Sequence, residues 1–397
     1  MVPLKKRYRP ALCLLLVLLT ACGPPGGETL RPGRISRHPA AEGRLWETSP
    51  EALLTSGDLR GADLRDMDLA GMEEKLFASD FDTRTQWPAA LPGEFDPERL
   101  LELGKDPGLG LRALHERGIT GKGVGIAIID QPLLTEHREY KDRLRLYQEY
   151  HGAAGYPASM HGPAVASLAL GETVGVAPEA LLYFLADELG TGDEETFVRD
   201  MTWYAEDVNR LTALNETLPE GEKIRVISMS TGWWREDAGA EALESAIARA
   251  RAAGIAVICV NSQDPLLPWM GMGRAPYGDP DDPADCRPGA FWEDSLYGGE
   301  FWGADGSPLL VPMDRRTAAS SAGEGEYACF AEGGMSWAVP WVAGLYALAC
   351  QVKPEVTYEA FLEAARSTAR PVSVRREGTE YPYGRVVDPA ALLEALQ

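Results

Sequence analysis

Positive charge is scarce in this chain. Its 38 Lys and Arg stand against 60 Asp and Glu, giving a net charge of −22. That balance argues against nucleic acid as a partner, because phosphate binding requires clustered cations. Cysteine is sparse, at six residues, and no Cys-x-x-Cys pair or His/Cys cluster is present to suggest a metal site. Histidine is rarer still, at five, so a reaction that needs an imidazole has few candidates. The glycine-rich GKGVG (121–125) lies ahead of a strand-like run. A dinucleotide fingerprint must follow a strand and open a helix, so this one argues against a nicotinamide enzyme.

What is present begins with an export signal. Lys5, Lys6, Arg7 and Arg9 precede the apolar core Ala11–Leu19 (ALCLLLVLL), which is too short to span a bilayer. The core runs into Leu19-Thr20-Ala21-Cys22, which resembles a bacterial lipobox. The resemblance implies that residues 1–21 are a signal peptide and that Cys22 is acylated after cleavage. More than one acyl chain gives lasting attachment to a membrane. The four basic residues lost with the signal take the mature charge from −22 to −26. Such a surface suits a body held off an anionic membrane by its anchor. The expected location is therefore exported and lipid-anchored to the bacterial membrane or envelope.

Cys259, Cys286, Cys329 and Cys350 then remain. Export permits disulfides, and four cysteines allow three pairings. Cys259 and Cys350 lie in apolar runs and read as buried thiols. Cys286 and Cys329 lie in loop-like sequence and are the better disulfide candidates.

Residues 22–50, rich in Gly, Pro and Arg, read as a flexible tether. Residues 51–106 form an N-terminal extension in which Leu54, Leu59, Leu64 and Leu69 recur every five residues, three of them preceded by Asp58, Asp63 and Asp68. The period resembles pentapeptide repeats. Four repeats make about one coil, too little to bury a core, so the stretch reads as a strap packed against the main domain. From about residue 107 strand-like and helix-like segments alternate. GVGIAIID (123–130), ALLYFLA (180–186), IRVISMS (224–230) and IAVICV (255–260) are short apolar runs, read as buried strands. Between them, residues 194–214 place Phe197, Met201, Tyr204, Val208 and Leu211 on one helical face, and residues 238–254 form another helix. The pattern predicts an α/β fold with a doubly wound, mostly parallel sheet over residues 107–397. Residues 264–309 read as a loop insertion in it.

Ligands gather beyond the carboxyl ends of such strands. Asp130 ends GIAIID, His161 opens HGPAVASLAL, and Ser336 opens SWAVPWVAGLYALA after Gly333 and Gly334. An acid, a base and a hydroxyl on three elements suit nucleophilic acyl transfer: the imidazole takes the hydroxyl proton, and a carboxylate orients the imidazole. The pair His151-Gly152 is a rival, but AAGYP after it does not start a helix, so His161 is preferred.

These segments resemble the subtilisin-like serine proteases (subtilases). TGKGVGIAIID is similar to the strand that carries their aspartate, HGPAVASLALG to their histidine motif, and GMSWAVPWVAG to their serine motif. The order Asp, His, Ser is that of subtilisin. VGVAPEALLYFL, VISMSTGW and YGRVVDPAALLEAL resemble further family segments, so the likeness spans roughly residues 107–397. It implies a serine endopeptidase with Ser336 as nucleophile, His161 as base and Asp130 as orienting carboxylate. Ser230, Thr231 and Gly232 would pair with a peptide or protein substrate. The family's oxyanion asparagine falls on Gln263 in an ungapped count, with Asn261 the alternative if the loop slips. Gln131-Pro132 and Met335 also depart from the family's usual residues. The resemblance permits calcium, but Asp279, Asp281, Asp282 and Asp285 read as solvated loop, and no metal or cofactor is assigned. The alternative function is a catalytically weak or inactive subtilase-like scaffold that binds peptides or a protein partner. Trp337 and Trp341 read as core fillers; Trp233 and Trp234 either narrow a side-chain pocket or pack in the core.

Overall fold

In the central strand Gly125–Asp130 every residue is buried, with no alternation between wet and dry faces. Successive strand residues point to opposite sides, so both faces of the sheet here must be covered. The computed structural model, which describes residues 29–43, 49–191, 197–260, 264–300 and 307–397, shows how. Six strands pair in the order 34–35, 144–149, 181–186, 125–130, 224–229, 256–259. Every neighbouring pair is parallel. The crossover helices supply the cover. His161–Leu170 packs against Met335–Val352, and Thr202–Thr217 against Ala240–Ala252. The α/β class with a doubly wound parallel sheet is the one expected from the alternating sequence.

A second sheet flanks the first. Its order is 286–288, 269–274, 309–312, 379–386, 370–376, parallel in the middle and antiparallel at both ends. This corrects the reading of residues 264–309 as a structureless insertion. Trp269–Arg274 pairs on both sides within the sheet, and Ala290–Gly298 forms a helix. The run WMGMGR lacks the Ile/Val signature of the other strands, and two glycines dilute it. Gly271 is needed, because a Cβ there would lie 2.1 Å from the Met313 sulfur.

Two further expectations change. The helix expected over 194–214 begins at Thr202, so Phe197 lies ahead of it and is 48% exposed, while Met201, Tyr204, Val208 and Leu211 are buried as its apolar face requires. The four described cysteines are all buried free thiols, including Cys286 and Cys329. Burial pushes both of these thiols up to about 12, so they stay protonated and inert.

The stretch read as a tether is partly built into the body. Arg34–Ile35 adds a parallel strand beside Leu144–Glu149, and Arg37 pairs with Glu149 at 2.6 Å. Farther along, Ala40 accepts a hydrogen bond from Ala158 and Glu42 donates one to Ser321. The pentad leucines 54, 59, 64 and 69 are buried as one row. A turn closes behind each of the last three, with Ala62, Met67 and Met72 donating to Leu59, Leu64 and Leu69. Leu59 and Leu64 donate in turn to Asp80 and Gln86, so residues 57–64 and 78–86 stack as two partial rungs. These leucines form a satellite core with Leu76, Phe81, Phe95 and Leu100, closed against the main domain by Cys329. Phe81–Asp82 joins the hairpin of 316–319 and 327–330 as a third strand.

Candidate active site

The carboxyl ends of the parallel strands bring the chemistry together. Asp130 ends the central strand and is 3% exposed. A buried carboxylate needs donors, and it has two: Gln131 N–H at 2.8 Å and His161 Nδ1 at 2.6 Å. With the Asp130 oxygen as acceptor, Nδ1 of His161 is the donor, and in the neutral ring Nε2 then holds a lone pair. Burial pulls the His161 imidazole down, but the Asp130 charge and hydrogen bond together outweigh it, and the net shift is upward from 6.5.

Ser336 stands in the first turn of the Met335–Val352 helix, after Gly334, whose positive φ (60°, with ψ 173°) favours glycine. The first N–H groups of this helix, that of Ser336 among them, lack helical acceptors, and among the described residues no side chain caps them. Such donors suit a developing oxyanion. Trp337 is 3% exposed, as a core filler should be, and its ring lies 5.4 Å from the His161 imidazole. Serine and histidine therefore sit on touching elements. Among the described residues, however, no hydrogen bond joins them. The Ser336 hydroxyl donates to the Ser230 carbonyl at 3.3 Å.

Pro340 explains a second link between these segments. It has no N–H to give the carbonyl four residues earlier, which is that of Ser336. The Ser230 hydroxyl donates to that carbonyl at 2.9 Å instead. The proline thus opens a bond that anchors the serine turn to the end of strand 224–229.

Residues 230–232 continue from that strand. The Thr231 carbonyl accepts from Val260, while the Ser230 and Gly232 carbonyls accept from Ser336 and Arg199. A Cβ on Gly232 would lie 2.3 Å from the Val260 carbonyl oxygen, so only glycine fits. Trp234 is 71% exposed, which rules it out of the core, whereas Trp233 is partly buried against it. Asn261 and Gln263, the two oxyanion candidates, and Cys22, the lipidation candidate, fall outside the described residues.

The rival His151 also finds a carboxylate. It sits in a one-turn 3₁₀ helix, and its Nδ1 lies 2.7 Å from Asp187 Oδ2. Asp187 follows strand 181–186 and donates its N–H to the Asp130 carbonyl. Here the imidazole is stacked flat on Trp203, at 4.4 Å and 3°. Burial pushes Asp187 up to about 7 and its neighbour Asp207 well above its usual range. Burial also lowers His151. The aspartates near 280 are occupied too: Asp281 accepts from Gly110, Asp285 from Asp279, and Asp282 caps Ala284.

Two features of the site were not read from the sequence: the Ser230 hydroxyl as the partner of the Ser336 carbonyl, and the contact of Trp337 with the imidazole. The first had a visible signal, a proline four residues after the serine.

The fold has a likeness among solved structures. A solved structure described as that of the prenylagaramide maturation protease PagA superposes with a TM-score of 0.50 at 18% identity, covering 72% of this chain and 98% of that one. That likeness establishes the fold. A sequence profile of the subtilase family matches residues 121–282, which include Asp130 and His161 and end before Ser336. Residues 121–282 are thus similar to the subtilase family, peptidase S8.

Proposed function

We propose that this protein is a serine endopeptidase that cuts peptide bonds through Ser336, His161 and Asp130. The observation that carries the reading is the 2.6 Å bond between His161 Nδ1 and Asp130, with the imidazole against the residue that follows Ser336. In the reaction, the Ser336 hydroxyl leaves the Ser230 carbonyl by a side-chain rotation and gives its proton to His161 Nε2. Its oxygen bonds to the substrate carbonyl carbon, and the carbonyl oxygen takes the negative charge. The Ser336 N–H and an amide from Asn261 or Gln263 receive that charge. The C–N bond then breaks, the leaving amine takes the proton from His161, and an acyl-enzyme remains. Water, activated by the same imidazole, releases the acid. Asp130 keeps the tautomer and stabilises the imidazolium throughout.

The substrate is a peptide or protein, laid as an added strand along Ser230, Thr231 and Gly232. It would displace the donors that hold the Ser230 and Gly232 carbonyls. The mature chain is exported and held at a bacterial membrane or envelope by lipid on Cys22. Amino-terminal mass analysis of membrane-extracted protein tests this part.

A second reading, a peptide-binding scaffold without turnover, draws support from the Ser336 hydroxyl bonding Ser230 and not His161. Fluorophosphonate labelling of the full chain separates the two. The protease reading expects an adduct in wild type that is lost in Ser336→Ala; folded wild type without an adduct favours the scaffold.

A further inference from the structure

Asp314 lies just past strand 309–312 and is 6% exposed. A carboxylate is that deeply buried only where donors replace its water. Its two oxygens take one backbone N–H each. Oδ1 accepts from Gly333 at 3.0 Å, and Oδ2 from Ala290 at 2.8 Å. Both donors have consequences. Gly333 begins the turn that presents Ser336, and its Cα is pressed so close to the Met313 carbonyl that a Cβ would lie 2.1 Å from the oxygen. Ala290 opens the Ala290–Gly298 helix, whose N-cap, Gly289, has no side chain to offer. The carboxylate supplies the missing cap. Burial pushes the Asp314 carboxyl up to about 6, while the Gly333 and Ala290 N–H groups hold it down.

We infer that Asp314 is a positioning residue: it fixes the glycine turn ahead of Ser336 and ties that turn to the 290–298 helix, setting the geometry of attack without touching substrate. The inference rests on Ser336 being the nucleophile. It gives the 290–298 helix a role in the reaction, since the Ala290 N–H holds the second oxygen of the carboxylate and so fixes where that carboxylate sits. The serine oxygen and the Ser336 N–H move together with the turn, so loosening it affects turnover and leaves binding along residues 230–232 alone.

Two variants of the full chain test this. Asp314→Asn replaces one accepting oxygen by an NH₂ group that faces an N–H. Ala290→Pro leaves Asp314 in place and removes only the helix donor. Proline is tolerated in the first turn, Gly289 already has the extended conformation that precedes proline (φ −61°, ψ 138°), and Ala290 is exposed. Misplacement of a reacting group by about 1 Å costs on the order of 10²-fold. The expected losses are therefore about tenfold for Asp314→Asn and about threefold for Ala290→Pro. They are read both in kcat with KM unchanged and in the rate of fluorophosphonate labelling. Wild-type rates in both variants overturn the inference, as does a rise in KM at constant kcat. If Asp314→Asn fails to fold, Ala290→Pro decides alone. A wild type that gives no Ser336 adduct sinks the nucleophile reading and the positioning role with it. A labelled wild type with unaffected variants sinks only the positioning role.

Discussion

Two histidine–aspartate pairs stand side by side at the same sheet edge, His161 with Asp130 and His151 with Asp187. Their bond lengths, 2.6 and 2.7 Å, do not tell them apart. Their surroundings do. Asp130 raises the imidazole of His161 against burial, whereas Asp187 shares its pocket with a second buried carboxyl, Asp207, and His151 is lowered. One ring abuts the residue after a helix-start serine; the other is stacked on Trp203. A histidine–carboxylate contact becomes a general base only where its far nitrogen meets a nucleophile and its carboxylate stays ionised.

The comparison can be broken most directly at the serine. Ser336→Ala is expected to lower kcat by on the order of 10⁶-fold, measured on a peptide substrate. Asp130→Asn is expected to cost about 10⁴-fold, because an amide facing Nδ1 favours the wrong tautomer. Against these, His151→Gln is expected to leave kcat within about twofold and to lower stability by about 1 kcal/mol, read from denaturant unfolding. A collapse of activity in His151→Gln would make the two pairs equivalent and defeat the assignment.

Acid sharpens the contrast. In the proposed mechanism turnover needs neutral His161, so the upward shift of that imidazole is expected to place the acid limb of kcat above pH 6.5. The stability that His161 gains from Asp130 runs the other way. It is full below the unfolded value and is lost as pH rises through the folded one. The Asp187 pair has its own signature. Its carboxyl binds a proton more tightly in the folded state, up to about 7, than in the unfolded chain, so folding stability falls as pH climbs from about 4 toward 7. Asp187→Asn should flatten that slope in melting temperature while leaving the acid limb of kcat in place. The smallest expected effect is that of Ser230→Ala, which unpairs the Ser336 carbonyl for about 1 kcal/mol of stability.

The elements of the parallel sheet were legible because their local chemistry is strong. A strand buried on both faces must be apolar throughout, and residues 125–130, 181–186, 224–229 and 256–259 are. The arm at residues 34–35 was not legible, since two residues paired only by backbone leave no side-chain period. The disulfide candidates failed for a related reason: Cys286 and Cys329 lie in sequence that reads as loop, and tertiary pairing places both in strands as buried thiols. Asp314 reads as any loop aspartate until Gly333 and Ala290 arrive from distant segments to donate to it.

The sequence by itself determined the parallel sheet, the strand and helix ends that carry Asp130, His161 and Ser336, and the burial of the pentad leucines, because each depends on apolar period, glycine or proline within a few residues. Only the tertiary structure decided which of two histidines is raised by its aspartate partner, where the serine hydroxyl rests, and how residues 29–43 and 264–300 close onto the body. Those outcomes depend on desolvation and on hydrogen-bond partners brought from far along the chain, and no local pattern encodes them.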